Sequence, residues 1–286
     1  MPMGERKIDD ILNSIGDLPT LPTVYMKLTH LLKEPDVPIK SISTIISEDP
    51  AIASTVLKIV NSAAYGFHTR IGDLQHAIVI LGLNEIRNLV LASSVYNIVK
   101  GLKSNSAFDI QAFWKHCIGC AIVARVLAET AGLKSPEEVF TGGLLHDIGK
   151  LIHAGYLRDD FNAALADAAE SRSPLHESEK RVMGIDHTQT GEALAEKWRL
   201  PRRTVDMIAY HHLSRTPESL TKEMAAIHIG NTLCVALRMG SGGEAKVPAV
   251  SDDAWKVLGL RLNDLEYVMQ RSVKLFDESL SIMEFE

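Results

Sequence analysis

The chain has 286 residues, with 30 Lys and Arg against 36 Asp and Glu and a formal net charge of −6. Its 46% apolar and 23% charged residues match an ordinary globular protein, so a long disordered chain is excluded and one large or two smaller packed domains are expected. The mild acidity gives no general attraction to nucleic acid or to an anionic membrane, and neither is expected as a partner. No stretch reads as a secretory signal and none is an uninterrupted apolar run of bilayer length, so a cytoplasmic location is expected. Cys117, Cys120 and Cys234 are an odd number, which argues against a disulfide framework. Cys117 and Cys120 form a C-x-x-C, but inside a helical pattern and without a second pair, so no thiolate zinc site is expected.

Helical spacing comes first in Leu21, Val24, Tyr25, Leu28, Leu31 and Leu32, behind Pro-Thr pairs at 19–20 and 22–23 that suit a helix entrance. Ser41 or Ser43 is expected to cap a short second helix. Asp49-Pro50 reads as N-cap and first residue of a third, with Ile52, Val56, Ile59 and Val60 on one face and an end near Asn61-Ser62. A loop reaches Gly72. Ala77 to Leu81 predict a short helix, Gly82 a break, and Asn84 the cap of a longer helix bearing Ile86, Leu89, Val90, Ser93 and Tyr96. The polar stretch Gly101 to Ser106 is the best internal boundary. Further helices are expected near 109–130, 136–148, 158–170, 175–198, 202–213, 222–239, 251–258 and 262–280, with Gly240 to Ala249 as a flexible connection or exposed loop. No strand pattern and no fixed-period repeat competes, so the fold class is all-α.

Eleven histidines are unevenly placed along this helical chain. In LLHDIGKLI, His146 and Asp147 follow an apolar run and precede Gly149, which permits close backbone approach. An imidazole and a carboxylate side by side in a core are costly unless they share a cation or a strong hydrogen bond. His116 shares a helical face with Phe113, Cys120 and Val123; His187 with Leu194 and Trp198; His212 with Ile208 and Val205, and His211 stands beside it. Imidazoles with a carboxylate suit one or two divalent transition-metal ions, iron, manganese, zinc, cobalt or nickel, better than calcium or magnesium. Six ligands exceed the needs of one tetrahedral ion; a two-metal centre with Asp147 bridging would use them all. Taken singly, each histidine reads first as a core or helix-end residue with a satisfied hydrogen bond; their joint appearance is what points to metal. His30, His68, His76, His153, His176 and His228 have no such support and read as surface or structural.

The segments LPTLPTVYMKLTHLL, ISEDPAIASTVLKIVNSAAYG, IGDLQHAIVILGLNEIRNLVLAS and GGLLHDIGKL, in that order from Leu18 to Leu213, resemble the HDOD domain, the HD-related output domain. The resemblance implies a multi-helix fold in which an N-terminal helical part, 18–100, packs on an HD-like part, 107–213, followed by a helical extension, 214–286. It also implies an output module of bacterial signal transduction, usually without demonstrated catalysis, whose partners are signalling proteins. Compared with the related HD-GYP phosphodiesterases, the positions matching the metal ligands are His116, the pair His146 and Asp147, His187, and the tandem His211 and His212. The closing aspartate is matched by Asn231, a neutral and weaker ligand. The segment HHLSRTPESL lacks both the glutamate and the GYP of the cyclic dinucleotide hydrolases.

Three functions are consistent with this pattern. The first is a signalling module whose HD-type site binds metal, and a phosphorylated small ligand, without efficient catalysis. The second is an active metal-dependent phosphohydrolase in which Asp147 bridges the ions and Lys150 holds a phosphate as a point charge; Lys150 reads equally as a solvated helix-end lysine. The third is a scaffold with the histidines as a polar core network. The loop Asn61 to Asp73, with Tyr65, Phe67, His68 and Arg70, is expected to carry the output contact, the alternative being that Tyr65 and Phe67 pack onto neighbouring helices.

Overall fold

The computed structural model describes residues 23–34, 36–67, 69–100 and 107–282. Leu21, His68 and the boundary stretch Gly101 to Ser106 lie outside them, as does the side chain of Tyr96. Among the described residues every regular element is helical, as the apolar spacing predicts, and they divide into two compact units, 23–100 with 273–282 and 107–272.

In the first unit, α1 (Thr23–Leu31) buries Val24, Tyr25 and Leu28. The next helix, α2 (Ile39–Ser47), begins after Pro38, earlier than expected. Ser43 is not its cap; its hydroxyl turns back to the Lys40 carbonyl inside the helix. Helix α3 (Pro50–Val60) starts as predicted, the Asp49 carboxylate accepting from the amides of Ala51 and Ile52, and it buries Ile52, Val56, Ile59 and Val60. Such burial contributes about 1.5–3 kcal/mol per side chain. A 3₁₀ turn at Ala63–Tyr65 leads into the loop. Helix α4 (Leu74–Lys100) carries a kink at Gly82, whose φ of 79° and ψ of 167° interrupt the helical path. The expected break is therefore real, although the helix opens one turn early, where Asp73 accepts from the His76 amide.

The second unit is built on α5 (Ile110–Thr130), buried along most of its length. It packs against α6 (Pro136–Leu145) and α12 (Lys222–Ala236). Small residues set these approaches: a Cβ on Gly143 would stand 2.5 Å from the Ala121 Cα, and one on Gly230 3.0 Å from the Ala124 Cβ. Around this trio lie α7 (Ile148–Tyr156), α8 (Arg158–Ser171), α9 (Leu175–Met183), α10 (His187–Lys197), α11 (Arg202–Tyr210), α13 (Asp252–Leu258) and the first half of α14 (Leu262–Ile282). The span 175–198 is two helices rather than one. Gly184, at φ 79°, ends α9, and Asp186 opens α10 through a capping box with Gln189. Helix α7, absent from the sequence expectation, follows α6 with only His146 and Asp147 between them.

Two spans, Leu74–Val95 and Ile110–Thr130, are long and apolar enough to cross a membrane by length and composition, and 56% and 78% of their apolar windows are buried within the protein. This is the pattern of core helices.

Candidate metal centre

The predicted ligands sit at helix ends that converge in the second unit, with His116 supplied from the middle of α5. His146 and Asp147 form the α6–α7 junction, His187 is the first residue of α10, and His211 and His212 follow α11. Gly149 allows this convergence, since a Cβ there would stand 2.0 Å from the His187 carbonyl oxygen. His116, His146, Asp147, His187 and His211 are all at or below 1% exposure.

The geometry centres on the Asp147 carboxylate. Its Oδ2 lies 3.4 Å from His116 Nε2 and 3.2 Å from His146 Nε2. Its Oδ1 lies 3.3 Å from both His187 Nε2 and His211 Nε2. His212 Nε2 is 3.0 Å from His187 Nε2, which is 3.3 Å from His211 Nε2. Two groups result, each compact enough to surround one cation: His116, His146 and Asp147, and Asp147, His187, His211 and His212. Ligands at about 2.1 Å from a shared ion stand about 3.0 Å apart at octahedral and about 3.4 Å apart at tetrahedral angles, so the spacing fits.

Neighbouring hydrogen bonds aim these nitrogens. His146 Nδ1 donates to the Gly143 carbonyl at 2.7 Å and His211 Nδ1 to the Ile208 carbonyl at 2.8 Å. His187 Nδ1 donates to Glu179 Oε2 at 2.5 Å, and the same oxygen accepts the His187 amide. With their protons on Nδ1, all three imidazoles turn an Nε2 lone pair toward a carboxylate, an arrangement that asks for a cation between them. His116 Nε2, His146 Nε2 and Asp147 Oδ1 are buried without a hydrogen bond, and a metal would satisfy all three.

Several supporting residues escaped the sequence reading. Glu179 also takes the His153 Nδ1 proton at 3.1 Å, and Thr190 donates to His153 Nε2 at 2.9 Å, so His153 is a buried brace and not a surface residue. His228, also buried, ties the His211 carbonyl to the Ser251 amide. His176 stacks on His212, ring centroids 4.4 Å apart. On α12, Asn231 is buried with its Oδ1 unbonded. It lies one turn from Cys234, whose Sγ is 3.5 Å from His116 Nδ1. No spacing rule singles out Glu179 within LHESEK, where it reads as an ordinary helix-surface acid.

Lys150 is neither solvated nor open. Fully buried, its Nζ donates to Asp147 Oδ2 at 2.8 Å, the Gly242 carbonyl at 3.0 Å and Glu244 Oε1 at 3.0 Å, which uses all three N–H bonds. The first half of the Gly240–Ala249 stretch is therefore no flexible connection. Ser241 N bonds the Ala112 carbonyl, Glu244 accepts from Leu175 N, and a Cβ on Gly242 would lie 3.0 Å from His116 and 3.2 Å from Asp147 Oδ2. This loop roofs the centre. From Ala245 to Val247 it is exposed, flanking a crevice of about 240 Å³ that reaches His116.

Charge follows burial. Burial alone would raise the Asp147 carboxyl, but His146 and Lys150 hold it well below the usual carboxylate range. Burial opposes a charged His146, yet Asp147 pushes it up to about 10. Burial holds His187 down, but Glu179 outweighs it and the net shift is upward. His211 is pushed down to about 3 by burial, and His212 is well below its ordinary value through burial and the adjoining His211 and His187. Burial raises the thiols of Cys117, Cys120 and Cys234, in keeping with inert core residues.

The sequence profile of the HDOD domain matches residues 18–214. A protein of Treponema pallidum (strain Nichols), itself uncharacterised, is 27% identical over 224 residues, 77% of this chain and 43% of the relative; the chain thus matches less than half of that protein's length. Among solved structures, an HDOD domain protein of unknown function from Geobacter sulfurreducens superimposes with a TM-score of 0.81 at 23% identity, covering 96% of both chains. A candidate phosphohydrolase from Shewanella amazonensis SB2B gives 0.71 at 25% identity, covering 95% of this chain and 96% of its own. With the profile spanning most of the chain and an all-helical fold shared with these structures, the protein belongs to the HDOD domain family.

Proposed function

We propose that the chain is a signal-transduction output module that holds one or two divalent transition-metal ions and does not turn over phosphodiesters efficiently. His116 and His146 would hold one ion, His187, His211 and His212 the other, with Asp147 shared. Bound there, such ions supply Lewis acidity and fixed positive charge. The observation that carries the reading is the convergence of five imidazoles on one buried carboxylate beneath a loop that, together with Asp147 itself, takes every Lys150 donor. The first part favours metal; the second leaves Lys150 no N–H for a phosphate. Asn231 adds to this, since it brings no negative charge to the cage. Signalling proteins, and a phosphorylated small ligand, are the partners this reading calls for.

The active phosphohydrolase has one observation in its favour, a nearly complete ligand set in a fold shared with a candidate phosphohydrolase. Two measurements decide. Elemental analysis of the purified chain should give one to two ions, falling below about a tenth of an ion in Asp147→Ala. Cyclic-di-GMP and an aryl phosphodiester with added manganese should be turned over no faster than by Asp147→Ala. A metal-free wild type would sink the first claim, and robust turnover lost in the variant would establish the enzyme.

A further inference from the structure

The first unit contains a second concavity that the metal centre does not touch. It is a cleft of about 710 Å³ between α3 and the loop that follows it, lined among others by Ser54, Lys58, Asn61, Phe67, Arg70 and Ile71. That volume lies within the range of small-molecule sites.

The loop is latched in place. Asn61 donates to the Leu57 and Ile71 carbonyls at 2.8 and 2.9 Å, and its Oδ1 accepts the Ile71 amide at 2.8 Å. Ile71 is buried, so Arg70 is presented from a fixed backbone point. Tyr65 is also buried; its hydroxyl bonds Glu85 and its ring lies near-parallel to Phe67, centroids 6.3 Å apart. Phe67 is half-buried and borders the cleft.

Charge identifies the ligand class. Acidic residues outnumber basic ones in this chain, and many surface cations are paired, such as Lys27 with Glu48, Arg181 with Asp167, Arg215 with Glu192 and Arg261 with Asp264. Lys58 and Arg70 are exposed and, among the described residues, neither has an ion pair or hydrogen bond, yet the fold sets both on one cleft beside an aromatic ring and the Ser54 hydroxyl. Two uncompensated cations suit a dianion such as a phosphoryl group, and the adjacent ring suits a flat apolar moiety attached to it. We propose that this cleft binds a small organic phosphate carrying a planar ring, of nucleoside-diphosphate size, which would give the module a ligand input separate from its metal centre.

Calorimetric titration of the full-length chain with ADP, pyrophosphate and adenosine tests this. ADP should bind saturably. The Lys58→Ala/Arg70→Ala double variant should weaken ADP and pyrophosphate at least tenfold with an unchanged melting temperature, because both side chains are exposed and unpaired. Phe67→Ala should weaken ADP about tenfold and leave pyrophosphate alone, and Asp147→Ala should bind as wild type does. No saturable ADP binding up to 1 mM would overturn the proposal. So would loss of ADP binding in Asp147→Ala, which moves the ligand to the metal centre, or pyrophosphate binding as tightly as ADP with no effect of Phe67→Ala. Displacement of ADP by a short Glu- and Asp-rich peptide of higher affinity would make the cleft a protein contact instead and overturn it as well.

Discussion

Among the described residues, only one of the two units uses glycine to bring its elements into close approach, although its Gly132, Gly184 and Gly259 face open space. In the 107–272 unit, Gly119, Gly142, Gly143, Gly149, Gly191 and Gly230 each stand where a Cβ would meet another element at 2.0–3.0 Å. In the 23–100 part, Gly66, Gly72 and Gly82 have nothing within 4 Å of that position. The same contrast appears in the side chains. In the 107–272 unit His116, His146, Asp147, Lys150, His187 and His211 lie at or below 1% exposure, whereas the cleft cations of the other unit, Lys58 and Arg70, are exposed. Close helix approach buries most of the histidine cluster and fixes its geometry; the other unit keeps its cleft on the outside, where a ligand reaches it without opening a core.

Gly149→Ala attacks the contrast most directly. Its Cβ would be driven into the His187 carbonyl, forcing α7 and α10 apart. The overpacking costs about 3 kcal/mol, a fall in melting temperature of roughly 6–12 °C, and the displaced His187 loses its place among the ligands. Gly72→Ala, in open space, should change stability by under about 1 kcal/mol in either direction. Thermal unfolding of both variants checks this; equal effects would show that packing does not distinguish the units.

Glu179→Gln probes the brace. Glutamine keeps the shape and removes the charge that orients His187, so metal affinity should fall about 10- to 100-fold, read by competition with a chelating dye. Wild-type affinity would show that His187 is positioned by packing alone.

Stability against pH gives a signature of the same centre. His211, lowered to about 3 against an ordinary 6.5, and the likewise lowered His212 and His228 contribute stability that is present above pH 6.5 and drains away as pH falls toward 3. Glu179, also lowered, adds to that acid loss below its ordinary 4.5. His146, raised to about 10, works the other way: its contribution is complete below 6.5 and lost as pH rises toward 10. With metal chelated, the melting temperature should peak near neutrality and fall on both sides. Saturating metal should remove the alkaline fall, because the ion replaces the His146 proton. A flat profile between pH 5 and 9 would contradict this.

Much of this was legible in the residues. Apolar spacing gave α1, α3 and α5, Asp49-Pro50 gave a helix start, and Gly82 gave the kink, because each depends on neighbours within a turn or two. The residues that the fold brings together in the candidate cluster were legible through histidines recurring on apolar faces and through the resemblance. What stayed hidden depends on contacts distant in sequence. Glu179 meets His153 across 26 residues, and Glu244 meets Lys150 across 94. Gly240 to Glu244 read as a flexible segment because glycines serve loops and close approaches alike, and only the tertiary surroundings decide between them. Lys150 read as a surface or phosphate-holding lysine for the same reason, its three acceptors being Asp147 and two residues of that loop.

The smallest effect worth measuring separates local from tertiary control in the 23–100 part. Asp49 satisfies two amides at the start of α3, and its replacement by alanine leaves them to water, at a cost of about 1 kcal/mol. Because Asp49 makes its bonds within its own helix turn, Asp49→Ala should lower the melting temperature by only a few degrees and leave metal content unchanged. It should also leave ADP binding unchanged, since Lys58 and Asn61 lie at the far end of the same helix, about two and a half and three turns beyond the cap. Loss of bound metal in this variant, measured by elemental analysis, would mean that the helices displaying the cleft and those enclosing the histidines depend on each other, and the contrast between the units would then describe their surfaces and not their stability.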